Sequence, residues 1–340
     1  MPMRERQIKF QKALNRIYER LNSIRLLQAV KGSLVMIIPV IMVGAFTIVL
    51  RSLPVPVYQT WLHSFADGAI DTFFGYIHQA TFGILSLYMV VSLAFCYASK
   101  VQEMSGNYMG TIISSILTFF IFSGIFNEGA DVMNLLGANG LFTAIISTLF
   151  ANTLYFWLNK KIRIDIRIYT SGTDDVYFHM LRYILPILII GVAAASLNLV
   201  FYALFGVQNF QDLYILGLSS LFQWAGRNFG STLLYVFMVH FLWFFGIHGG
   251  NVLDSVWGGI LDPGVDLNVA AVAAGNVPTE IYSKSFLDIF VIMGGCGSTL
   301  CLLAAILLFE RKRGMRKLAR FAAVPSLFNI NELLLFGVPI

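Results

Sequence analysis

The chain has 340 residues, of which 57% are hydrophobic and only 12% charged, against roughly 45–50% and about 25% in an ordinary soluble domain. One soluble core cannot hide that apolar excess, and the apolar runs lack the period-two alternation of an outer-membrane barrel; the composition points to an all-α polytopic membrane protein. The net charge of +5 is accounted for by basic segments flanking the apolar runs and calls for no nucleic-acid partner.

In chain order, residues 1–25 carry Arg4, Arg6, Lys9, Lys12, Arg16, Arg20 and Arg25 around an apolar stripe of Phe10, Leu14, Ile17, Leu21 and Ile24. This pattern predicts a basic amphipathic helix on the cytoplasmic membrane face, against anionic lipid. No short basic start precedes the first apolar run, so no cleavable signal is read. Apolar stretches follow at 26–50, 81–98, 108–126, 140–158, 183–205, 228–247 and 286–309, each near the ~20 residues that cross a bilayer. With one further crossing argued below, about seven to eight transmembrane helices are expected.

Orientation follows from lysine and arginine. Loop 51–74 has one basic residue, 99–107 has Lys100, 127–139 has none, and 159–182 has Lys160, Lys161, Arg163, Arg167 and Arg182. These alternate out, in, out, in from a cytoplasmic N-terminus; the run 183–205 then leads to an outside loop without lysine or arginine before Arg227, and 228–247 returns inward. The basic segment "ERKRGMRKLAR" at 310–320 belongs inside, so residues 248–285 must make one net crossing. That stretch holds Gly249, Gly250, Gly258, Gly259, Pro263, Gly264, Gly275 and Pro278 with Asp254, Asp262, Asp266 and Glu280, a composition that predicts broken, protein-buried or water-lined backbone.

Cys96, Cys296 and Cys301 all fall inside apolar runs and read as small apolar filler. "GGCGS" at 294–298 also lies within a run, so close helix packing is preferred over a nucleotide loop. No metal-ligand spacing, cofactor motif or phosphohistidine context is present at His63, His78, His179 or His240.

Two ionisable residues stand at membrane depth. His248 lies in "FLWFFGIHGGNV" where an apolar run meets glycine, and Glu332 lies in "SLFNINELLLFGVPI" between Pro325 and Pro339. A structural histidine bonded to carbonyls and a helix-terminal or paired carboxylate are the plain readings. A substrate or ion path is the functional one.

These stretches also carry a resemblance. "FFGIHGGNV", "DIFVIMGGCGSTL" and "PSLFNINELLLFGVPI", in that order, with "LLGANGLF" at 135–142, resemble the membrane IIC sugar permease of the bacterial phosphotransferase system, in its lactose, cellobiose and diacetylchitobiose branch. The resemblance is dense from 214 to 340 and looser before it. It implies a homodimeric inner-membrane permease of IIC-type fold, with a dimerisation domain at 26–210 and a sugar domain with re-entrant segments at 211–340. It implies a β-linked disaccharide or glucoside as substrate, phosphorylated by a soluble phosphorylated IIB partner.

Motif by motif, it implies that His248 and Glu332 contact the sugar, with Trp243, Asn251, Asn329, Asn331 and Asn139 as neighbours. Glu332 is the candidate for accepting a bond from the hydroxyl to be phosphorylated. Convergent amides and carboxylates beside an aromatic face suit a sugar's hydroxyls and C–H surface. The chain departs from the family pattern at Leu333, where proline is usual, and in "IYTSGTDDVYFHM" at 168–180. The family also continues through further spans past the "FGVPI" position, so the sugar domain is expected to be incomplete here. A sugar-sensing module without transport and an ion-coupled transporter using His248 and Glu332 are the alternative readings.

Overall fold

A computed structural model describes residues 23–102, 108–161, 181, 183–225, 227–244, 249–292, 295, 299–327, 334 and 337–338. The predicted amphipathic helix therefore lies outside the described residues except for its last positions. Among the described residues there are helices, turns and loops and no strand.

The helices are α1 (Arg25–Arg51), α2 (Pro56–Ser64), α3 (Ala69–Thr81), α4 (Leu85–Lys100), α5 (Met109–Ser123), α6 (Val132–Leu136), α7 (Leu141–Lys161) and α8 (Ile184–Phe205). Then come α9 (Phe210–Ala225), α10 (Phe229–Phe244), α11 (Gly249–Ala273), α12 (Lys284–Phe286), α13 (Thr299–Phe309) and α14 (Arg313–Leu327). Four stretches among the described residues are long and apolar enough to cross a membrane: Arg25–Arg51, Pro56–Lys100, Ala138–Lys161 and Ile184–Ser220. Met109–Ser123, Phe229–Trp243 and Thr299–Phe309 are shorter apolar helices. All seven apolar runs thus have a helical counterpart.

Four local expectations are corrected. The 51–74 loop contains α2, started by Pro56 in its first turn, where the missing N–H costs nothing, and the beginning of α3. The segment after 205 is helical as α9, whose first turn is capped by the Asn209 side chain accepting the Asp212 N–H at 2.9 Å. The run at 286–309 is interrupted: α12 passes into a π turn at Leu287–Val291, and Gly295 adopts φ of 99°, a conformation that glycine reaches without a Cβ penalty.

The fourth correction concerns 248–285, where Gly249, Gly250, Gly258, Gly259, Gly264 and Pro263 do not break the backbone. They lie within α11, 25 residues long, or about 38 Å at helical rise, whereas Gly275 follows it with φ of 76°. Close packing explains one of these glycines: a Cβ at Gly249 would fall on the Val239 carbonyl. The non-helical stretch is confined to residues near 274–283.

Packing forms several apolar clusters. The first joins α1, α4, α5 and α7 through Leu34, Ile37, Met89, Leu93, Phe119 and Ile145. Hydrocarbon supplies little hydrophobic drive between helices, so small and polar residues supply the close contact. Thr111, Ser114, Ser115, Thr118, Ser147, Thr148 and Asn152 are buried between α5 and α7. Most of these hydroxyls donate to carbonyls one turn back, as Ser115 does to Thr111 at 2.6 Å, while Asn152 Nδ2 donates across the pair to Ser115 Oγ at 2.9 Å. Gly110 admits the Tyr155 ring where any Cβ would collide with it.

α8 is apolar on all sides and exposes Leu188, Val192, Leu199 and Tyr202. Its Asn198 Nδ2 donates to the Ile121 carbonyl of α5 at 2.7 Å. A second cluster joins α10, α11 and the π turn through Tyr235, Val239, Trp243, Leu253, Trp257, Ile260 and Leu287. Leu242 packs against both this cluster and the first. A further cluster seats Ala319 and Ala322 of α14 on Leu303 and Ile306 of α13.

Candidate functional site

The "LLGANGLF" motif forms a compact corner. α6 is capped by Asp131, whose Oδ1 accepts the Asn134 N–H at 3.2 Å. The chain leaves α6 at Gly137, takes a 3-10 turn over Ala138–Gly140 and enters α7. The glycines are required by proximity, since a Cβ on Gly140 would strike the Leu135 carbonyl. Ser86 Oγ on α4 donates to the Gly137 carbonyl, which ties the corner to the first cluster.

Asn139 sits at the centre of this turn. Its Nδ2 donates a short hydrogen bond to Asn134 Oδ1, and its carbonyl accepts from the Tyr214 hydroxyl of α9 at 3.3 Å. Tyr214 is oriented by edge contact with Phe142, ring centroids 4.8 Å apart. One residue beyond Phe142, Thr143 Oγ1 donates to Gln211 Oε1 at 3.1 Å in a buried pair. Hydrogen bonds from α9 therefore reach both the turn and the start of α7.

The same 3-10 turn lies against α11, the helix on which Asn251 occupies the first turn. Trp243, near the end of α10, is buried at 9% exposure in the cluster with Tyr235, Val239, Leu253 and Trp257. The backbone thus gathers the Asn139 turn and the Asn251 helix side by side, with Trp243 in the core beneath that helix. The Asn251 side chain, and His248, Asn329, Asn331 and Glu332 altogether, lie outside the described residues. Of the residues that fix this corner, Tyr214 and Gln211 carry no sequence motif, and Asn134 precedes the "LLGANGLF" string by one position.

Beside the corner is a polar cavity of about 280 Å³, lined by Asn127, Glu128, Asp131, Asn134, Asn209 and Asp212 among others. Its wall is ordered by Asn209 Nδ2 donating to Asp212 Oδ2 at 2.8 Å. At the far end of α11, Arg227 Nε donates to Glu280 Oε2 at 3.0 Å. No group of three or more metal-ligating side chains occurs among the described residues.

The family model described as "Phosphotransferase system, EIIC" matches residues 31–340. The chain belongs to the EIIC family of the phosphotransferase system. Among its relatives is the oligo-beta-mannoside-specific EIIC component of Bacillus subtilis, 28% identical over 94% of this chain and 73% of that protein. The cellobiose-specific EIIC component of Geobacillus stearothermophilus is 25% identical over 93% of this chain and 72% of that protein. The crystal structure of the transporter ChbC, the IIC component from the N,N'-diacetylchitobiose-specific system, is similar with a TM-score of 0.54 and 25% identity, covering 96% of this chain and 77% of that one. As an EIIC component the chain is an integral membrane sugar permease, which accounts for apolar helices such as α8 that expose large side chains on their outer faces.

Proposed function

We propose that this EIIC component binds a β-linked disaccharide or glucoside in a pocket formed by Asn139, Trp243, His248, Asn251, Asn329, Asn331 and Glu332, and moves it inward for phosphorylation by a soluble phosphorylated IIB protein. Glu332 accepts a hydrogen bond from the hydroxyl to be phosphorylated, and the amides and His248 hold the remaining hydroxyls. The observation that carries this reading is the packing of the 138–140 turn against α11, the helix that begins within "FFGIHGGNV": elements more than a hundred residues apart in sequence are neighbours, as a shared pocket would need. The sugars in the relatives' names, oligo-β-mannoside and cellobiose, support a β-linked substrate.

The lysine and arginine asymmetry supports an inner-membrane protein with a cytoplasmic N-terminus, and the family supports a homodimer. The deciding measurement is sugar uptake by vesicles. Accumulation of sugar phosphate that needs phosphoenolpyruvate and the IIB partner supports the permease; uptake abolished by a protonophore and indifferent to the partner replaces it with ion coupling.

A further inference from the structure

We infer that Asn134 is a positioning residue for the sugar site, fixing the orientation of the Asn139 side-chain amide; the inference rests on Asn139 belonging to the proposed pocket. An asparagine amide has a donor end and an acceptor end that a ligand sees as opposites, so a binding asparagine needs something to set which end is presented. For Asn139 that partner is Asn134: Asn139 Nδ2 donates to Asn134 Oδ1. One Nδ2 hydrogen is thereby committed, and Oδ1 with the second hydrogen is left for a ligand.

The corner around this pair is over-determined. The Asn139 backbone is held by the Tyr214 hydroxyl, and the Gly137 carbonyl by Ser86. Asn134 in turn is placed by the Asp131 cap, which takes its backbone N–H and leaves its side chain to serve Asn139. Removing the Asn134 side chain therefore leaves the helix cap intact. Asn134 also lines the 280 Å³ polar cavity.

The test is equilibrium binding of cellobiose, lactose and N,N'-diacetylchitobiose to the purified full chain, using Asn134→Ala, Asn134→Asp, Asn139→Ala and the Asn134→Ala/Asn139→Ala double variant. A hydrogen bond between exposed side chains contributes modestly, so Asn134→Ala should weaken binding by about 3- to 10-fold. Asn134→Asp, which keeps an acceptor for Nδ2, should bind within about twofold of the unaltered chain. In the double variant Asn134→Ala should add nothing to the loss already caused by Asn139→Ala.

Equal losses in the Ala and Asp variants, additive losses in the double variant, or an Asn134→Ala chain that binds normally while Asn139→Ala does not, would each overturn the positioning role and leave the pocket standing. Normal binding by Asn139→Ala removes Asn139 from the pocket and the inference with it. So does failure of the unaltered chain to bind any of the three sugars. Melting temperatures of all variants separate these results from loss of fold.

Discussion

Asn268 and Glu280 exchange two hydrogen bonds, Asn268 Nδ2 to the Glu280 carbonyl at 2.7 Å and the Glu280 N–H to Asn268 Oδ1 at 3.0 Å. This clasp folds the non-helical stretch after α11 back onto the helix, and Arg227 grips the Glu280 carboxylate from outside. The clasp and the ion pair are separable. Both ion-pair partners are about 29% exposed, so Arg227→Ala is expected to cost under ~1 kcal/mol. Asn268→Ala removes both backbone bonds and should cost about 1–3 kcal/mol. Hydrogen exchange at residues 276–282 should accelerate much more in the Asn268 variant; equal acceleration would assign the fastening to Arg227 instead.

Gly110→Ala should destabilise the α5–α7 contact, because the added methyl lands on the Tyr155 ring. Overpacking of this kind costs about 1–3 kcal/mol. The atom nearest the new methyl is the Tyr155 hydroxyl oxygen, so Tyr155→Phe in the same chain should recover part of the loss. Thermal melts in detergent of the two single variants and the pair give the coupling; strictly additive losses would show that the helices shift apart instead.

In the proposed pocket, Glu332→Gln or His248→Ala should weaken sugar binding by roughly 10- to 150-fold, the range for a hydrogen bond to a charged group. Oligomeric state should be unchanged. Calorimetry that finds both variants binding as the parent chain does would remove them from the site.

For orientation, a cysteine-free background with Glu128→Cys should react with an impermeant thiol reagent from outside, and Lys160→Cys or Lys312→Cys only after the cytoplasmic face is opened. Glu128 is exposed and avoids the left-handed backbone of neighbouring Gly129, φ 76°. Labelling of Lys312→Cys from outside would mean that α11 does not supply the net crossing assigned to 248–285.

The legible part of this molecule was its apolar periodicity. Runs such as 26–50 and 183–205 became α1 and α8 nearly residue for residue, because a span must satisfy every backbone group within itself. α11 was not legible as one helix: glycine and proline lower propensity by about 1 and 3 kcal/mol each, and sequence cannot show that Gly249 is small because the Val239 carbonyl lies against it. α2 is short and mixed in polarity, and α9 continues an apolar stretch that reaches Ser220, so hydropathy alone does not mark either as a separate helix.

At the site, the motif string announced Asn139, but its partners Asn134 and Tyr214 come from tertiary geometry. Tyr214 is 75 residues from Asn139, and nothing in its own neighbourhood marks it. Trp243 is proposed as a flat face for sugar; what the structure shows is its burial among Val239, Leu253 and Trp257, a packing position that sequence does not reveal.

α8 has no preferred side, so partition into hydrocarbon leaves its azimuth undetermined. Asn198 supplies the index mark: its bond to the Ile121 carbonyl is satisfied at one angle of rotation about the helix axis, and Leu117 fitting against Gly191 favours the same angle. A leucine at position 198 would leave α8 inserted and fully helical, its rotation then held only by packing such as Leu117 on Gly191.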